Sequence, residues 1–168
     1  MLTNTYKILS VVPGTWYLGV AIFHDTDLMD WRIKYMPGAS VEEKMVQVKS
    51  LVSDFIDRHG ITVLALKKVH PSRSSETLSG LHTEIKKFGK SKNLIQLEFT
   101  IDKIKQSLIQ QKGNKKILME ELTANYPALS HLMEQMKANE SVYLMRAFEA
   151  VAQGVAALDH LENNHKRS

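Results

Sequence analysis

The sequence predicts an α/β fold: a mixed five-stranded sheet, an antiparallel three-strand meander plus parallel strands, flanked by helices. Three observations predict it. The first 35 residues hold three closely spaced strand-like runs, two later short apolar runs alternate with helical periodicity, and residues 142–161 form a long amphipathic stretch. Short connections favour hairpins, and an apolar run reached through a helix favours a parallel crossover.

Lys7 to Val12 is an apolar strand ending at Pro13-Gly14, and Tyr17 to His24 is its hairpin partner. Asp25-Thr26-Asp27 supplies turn chemistry before a third strand, Leu28 to Tyr35. Pro37-Gly38 then breaks the pattern. Ser40 and Glu43 form an S-x-x-E capping box, whose side chains can satisfy orphan N–H groups at a helix start. Val41, Met45, Val48, Val52, Phe55 and Ile56 recur at helical spacing up to Gly60. Ile61 to Leu66 is continuously apolar and β-branched, as in a strand buried on both faces. After a polar connection from Pro71 to Ser75, Leu78, Leu81 and Ile85 give a helical stripe that ends near Gly89. Asn93 to Phe99 is a further strand. Ile101, Ile104 and Leu108 mark a short helix, and Gln110 to Asn114 a loop. Leu118 and Leu122 belong to a helix closed by Tyr126-Pro127, and Leu129 to Lys137 to another. Val142 to Leu161 is the last helix, with Phe148, Val151, Ala152, Val155 and Leu158 on its apolar side. Residues 1–161 are expected to form one domain, and 162–168 a frayed polar tail.

With 168 residues, 43% hydrophobic and 24% charged, the chain has the balance of one globular domain rather than of a disordered segment. It has no cysteine, which excludes a disulfide framework, a thiolate zinc site and a Cys nucleophile. No apolar run is long enough to span a bilayer, and residues 1–7 lack a signal-peptide pattern, so a cytoplasmic setting without membrane is expected. The seven histidines show no H-x-x-x-H or H-E-x-x-H spacing, and no phosphate-binding glycine loop occurs. The net charge of +4 permits nucleic-acid binding without demanding it.

The element order and four segments resemble the RNase H-like superfamily, and within it the RuvC-type Holliday-junction resolvases. Ile8-Leu9-Ser10-Val11-Val12-Pro13-Gly14, with Gly19 further on, is similar to the family's apolar-Asp-Pro-Gly opening. Ala65-Leu66-Lys67-Lys68-Val69 falls where the family has a catalytic Glu. Arg146-Ala147-Phe148-Glu149-Ala150-Val151-Ala152 falls where its last helix carries two acids three apart. Ile101 to Leu108, through Lys115-Lys116, resembles its strand-to-helix segment. The likeness covers roughly residues 7 to 160.

What the resemblance implies about the site is a set of substitutions. The family's first Asp falls on Val12, and its Glu on Lys67, or on Lys68 if the register slips by one. Its penultimate Asp falls on Arg146, and only Glu149 keeps the sign. Two-metal nucleases hold Mg²⁺ with carboxylates that bridge and flank the ions. Val12 has no oxygen to offer, and Lys67 and Arg146 bring positive charge. Arg146 and Glu149 share one helical face, so an ionic cluster of Lys67, Arg146 and Glu149 is one reading. The other is a core valine beside ordinary surface charges. Under both, no metal site and no cofactor are expected, and the chain reads as a nuclease fold without most of its carboxylates. The alternative is an active Mg²⁺ nuclease with displaced ligands, such as Glu149 with Asp25 or Glu140. Against it, Asp25, Asp27 and Asp30 have the ordinary chemistry of turns.

Basic residues concentrate in the middle of the chain. Lys68, Arg73, Lys103, Lys105, Lys112, Lys115 and Lys116 are the candidate nucleic-acid contacts. Such lysines position a phosphate backbone without reading sequence; equally, lysine-rich helices are often only solvated faces. Trp16, Tyr17 and Trp31 can stack on bases or simply pack the hairpins. The reading that follows is a catalytically inactive RuvC-like domain that binds structured or branched nucleic acid. A structural or interaction module, with a homodimer among its forms, is the remaining class.

Overall fold

A computed structural model describes residues 5–68, 75–108, 115–139 and 144–167. Strands β1 (Lys7–Pro13), β2 (Tyr17–His24) and β3 (Asp27–Tyr35) form the meander. After α1 (Val41–His59), strand β4 (Val63–Lys67) returns parallel to β1, and after α2 (Glu76–Ser91), β5 (Ile95–Phe99) lies parallel to β4. The sheet order is β3-β2-β1-β4-β5. Helices α3 (Ile101–Leu108), α4 (Lys115–Asn125), α5 (Ser130–Asn139) and α6 (Met145–Arg167) follow, with a 3₁₀ turn at Pro127–Leu129.

The sheet separates two apolar layers. Leu9, Val11, Leu18, Val20 and Ile22 face α1 and α2, while Ile8, Val12, Ala21 and Phe23 face α4 and α6. The expectation that the run after Gly60 is buried on both faces holds: Val63 and Ala65 join the α6 layer, Leu64 and Leu66 the α1 layer. Two local devices start and stop α1. Ser40 Oγ accepts the Glu43 N–H at 3.2 Å, and Gly60 closes the helix at φ 62°, in the left-handed region that glycine adopts without strain.

Several boundaries differ from expectation: β4 starts at Val63 rather than Ile61 and β5 at Ile95 rather than Asn93, and two further differences lie at helix ends. Gly89 does not end α2. It lies inside the helix, two residues before its end at Ser91; a Cβ there would come within 2.7 Å of Leu64 Cδ2, so its role is close packing on β4, and the turn comes at Asn93 with φ 59°. The polar segment from Glu162 continues α6 to Arg167. No proline or glycine interrupts it, and its glutamate, asparagine and lysine side chains stay exposed on a helix already seeded by the packed turns before them.

Candidate functional site

Pairing Val11 with Leu66 in the β1–β4 ladder sets the C-terminal ends of the two central strands side by side. The crevice outside such strand ends is where open α/β sheets hold ligands. Val12 and Lys67 follow that pair directly, and α6 crosses above them. Val12 is fully buried in the α6 layer and offers no oxygen.

Lys67 Nζ donates to Glu149 Oε2 at 2.9 Å, and Arg146 Nη1 donates to Glu149 Oε1 at 3.3 Å. Glu149 is only 3% exposed, whereas Lys67 and Arg146 keep 29% and 27% of their side chains in solvent. The carboxylate thus lies beneath two cations that reach water. Of the two readings of these residues, the ionic cluster is the one the geometry supports. Lys67 faces Glu149, while Lys68 is exposed and its N–H donates to the Phe99 carbonyl at 2.8 Å.

Glycine lets the cluster form where it does. A Cβ on Gly14 would lie 2.8 Å from Arg146 Nε, and one on Gly19 would lie 2.1 Å from the Arg146 carbonyl oxygen. The arginine therefore rests against the bare backbone of the β1–β2 hairpin. One turn further along α6, fully buried Gln153 points Nε2 at Ser10 Oγ (3.0 Å), the Val11 carbonyl (3.0 Å) and the Ala65 carbonyl (2.9 Å). It ties α6 to both central strands beneath the ion cluster. Sequence reasoning passed over Gln153; a lone amide four residues from Glu149 within an apolar stripe was the available signal.

A second polar group lines the neighbouring strand end. Lys86 Nζ bonds Glu98 Oε1 at 2.6 Å, and His82 Nε2 lies 3.9 Å from Glu98 Oε2. Burial pushes the Glu98 carboxyl up, but Lys86, with His82 and Lys68, more than offsets it and holds it below its ordinary 4.5. Burial of His82 lowers its pKa below 6.5, against the opposing pull of Glu98. His24 is lowered likewise, by burial and then by His59 and Lys7.

The sign for stability follows from these directions. An imidazole with a lowered folded pKa binds its proton more readily in the unfolded chain, so stability rises with pH and is lost as pH falls below 6.5. Glu98 acts in the same sense lower down: its contribution is present above 4.5 and lost as pH falls through its folded value. The urea midpoint is expected to be flat above about pH 7.5 and to fall between about pH 6.5 and 5. His82→Gln should flatten part of that fall; an unchanged slope would refute the assignment to His82.

Of the acids in the displaced-ligand alternative, Asp25 does not join Glu149. Asp25 sits in the β2–β3 turn at φ 53°, and its Oδ1 accepts the Tyr6 N–H at 2.8 Å. That turn flanks the Lys7 end of β1, about 17 Å along the strand from Val12, so Asp25 and Glu149 cannot share an ion. Asp30 is engaged by Arg32 and by the Trp31 N–H. Glu140 lies outside the described residues. No group of three or more His, Asp or Glu side chains able to hold a metal occurs among the described residues. The residues at the strand ends do not fit a divalent ion: both oxygens of Glu149 already accept from cations, and Val12 supplies none.

Of the remaining candidate contacts, Lys68, Lys103 and Lys116 are exposed, at the end of β4, on α3 and on α4. Lys105 lies on α3 and Lys115 starts α4, but their side chains, like Arg73 and Lys112 as a whole, lie outside the described residues. No helix among the described residues is long and apolar enough to cross a membrane.

No protein-family model matches the chain, and no curated protein matches it in sequence. Solved structures do match in fold. Thermus thermophilus RuvC superposes with a TM-score of 0.73 at 11% identity, covering 94% of this chain and 96% of that one. T. thermophilus RuvC in complex with a Holliday junction substrate gives 0.69 at 12% identity, covering 91% and 93%. The fold is therefore RuvC-like, of the RNase H-like class, over nearly the whole chain.

Proposed function

We propose that the protein is a RuvC-like domain that binds structured or branched nucleic acid and does not cut it. The observation that carries this reading is the Lys67–Glu149–Arg146 cluster at the ends of β1 and β4. A charge-reversed site with a net excess of one cation repels Mg²⁺ and attracts phosphate. The likeness to a RuvC solved with a Holliday junction substrate supports a branched ligand. Lys67 and Arg146 hold the phosphate backbone at the strand ends, and Lys68, Lys103, Lys105, Lys115, Lys116, Arg73 and Lys112 extend the contact.

The test is a gel assay on labelled four-way junction, linear duplex and single strand, with and without Mg²⁺ or Mn²⁺, run native and denaturing over a salt series. A mobility shift with intact strands is expected. With about four phosphates contacted, affinity should fall roughly a hundredfold between about 50 and 200 mM salt. Metal-dependent cleavage would overturn the inactivity, and the absence of any shift would overturn the binding.

Val12→Asp alone is expected to restore no cleavage, because Lys67 and Arg146 still occupy the carboxylate. Cleavage by that single variant would show that the two cations do not block the site. Val12→Asp combined with Lys67→Glu and Arg146→Asp removes both cations and supplies the missing oxygens.

A further inference from the structure

The turn between β1 and β2 carries a feature that the ion cluster does not use. Trp16 is 48% exposed, yet it is held from two sides. Its carbonyl accepts the Met36 N–H at 2.7 Å, and Lys44 Nζ stands 4.2 Å from the centre of its ring. Lys44 itself is 1% exposed and donates to the Met36 carbonyl at 2.9 Å.

Lysine is almost never fully buried, because its ammonium loses hydration that few protein partners replace. Here α1 spends a buried lysine on one carbonyl and one indole face. The cation–π contact fixes a ring that would otherwise swing freely in a three-residue turn. Ordering the ring in the free protein removes that cost from a later binding event. An immobilised, half-exposed indole is the surface on which a nucleobase stacks, whatever its identity, since every base has a π face.

The same turn touches the cluster. Gly14, two residues before Trp16 and therefore within about 8 Å of it, is where the Arg146 guanidinium meets the hairpin. Tyr35, 52% exposed, packs its ring 5.5 Å from that of Tyr17 beside the same turn. One end of the hairpin thus joins cations for a phosphate to an aromatic face for a base.

We propose that Trp16 is a stacking platform for an unpaired nucleobase of a nucleic acid whose backbone lies on Arg146 and Lys67. This rests on the nucleic-acid reading above. Lys44 is a positioning residue, acting through the ring it holds.

The test uses the full chain carrying Trp31→Phe, which leaves Trp16 as the sole tryptophan. Oligothymidylate and a four-way junction are titrated in, with binding followed in parallel by gel shift. Quenching of Trp16 emission with the midpoint of the shift is expected. In the wild-type background, Trp16→Phe should bind within a few-fold of the parent, and Trp16→Ala should lose about tenfold or more. A saturated shift with unchanged emission, or full affinity in the alanine variant, overturns the platform and leaves the nucleic-acid reading standing. No shift with either probe overturns both. Should the alanine variant fold poorly, the quenching and the phenylalanine variant decide the matter.

Discussion

Gly19→Ala is expected to destabilise the protein by about 3 kcal/mol, the upper part of the range for overpacking a closed core. The added methyl would lie 2.1 Å from the Arg146 carbonyl oxygen and 2.5 Å from its carbonyl carbon. Both partners are backbone, so no side-chain rotation relieves the contact. β2 is locked between β1 and β3, so α6 must lift off the sheet. A second seat lies further along. A Cβ on Gly154 would come within 2.2 Å of Phe23 Cε2, in a ring that is fully buried. From Arg146 to Gly154 the helix rises about 12 Å, and from Gly19 to Phe23 the strand advances about 13 Å. The match lets α6 lie along β2 with contact at both points. The melting temperature of Gly19→Ala should fall by roughly 6–12 °C for a chain of this size. Gly154→Ala gains about 1 kcal/mol of helix propensity but loses more to the ring. Pairing it with Phe23→Leu should recover stability, which distinguishes a steric cause from a backbone one. A Gly19→Ala protein as stable as its parent would show that α6 is not seated as described.

Much of this architecture is legible in the sequence because its signals are local. Pro13-Gly14, Asp25-Thr26-Asp27, Ser40 and Gly60 punctuate the chain: Asp25 and Gly60 take left-handed backbone, and the Ser40 side chain caps α1 three residues on. The ion cluster is legible through Lys67, Arg146 and Glu149 only once the family pattern places Val12 and Lys67 at neighbouring strand ends. What escapes is the set of contacts that exist only after folding. Gln153 becomes a three-way clamp because Ser10, Val11 and Ala65 happen to present acceptors at one depth. Gly89 reads as a stop signal and proves to be a contact with Leu64, since a missing side chain looks the same in either role. Lys44 occupies an apolar-side position of α1 with nothing in its neighbours to announce Trp16, 28 residues earlier in the chain. His82 likewise depends on Glu98, on a different element. Long-range polar pairing carries no periodicity, so it leaves no trace that spacing can reveal.

Lys67→Met is expected to cost about 2–3 kcal/mol, and Glu149→Gln only about 1 kcal/mol, although the two side chains share one bond. The asymmetry comes from burial. Removing the lysine strands a carboxylate that is 3% exposed, with Arg146 at 3.3 Å as its remaining ionic partner. Removing the carboxylate frees two cations that already keep over a quarter of their side chains in water and can turn outward. Glutamine also keeps an oxygen to accept one of their N–H groups. The double variant Lys67→Met/Glu149→Gln should therefore be more stable than Lys67→Met alone, because the second change removes the stranded charge. Urea unfolding of the four proteins measures this coupling directly. Additive losses would mean that the ion pair is a surface contact of little weight. A double variant less destabilised than the sum of the single losses by about 1 kcal/mol or more, of the order found for residues in one network, would mean that the cations hold Glu149 in place. In that case the same residues also keep the strand ends and α6 together, and Val12→Asp would add a second buried carboxylate beside one carboxylate and two cations.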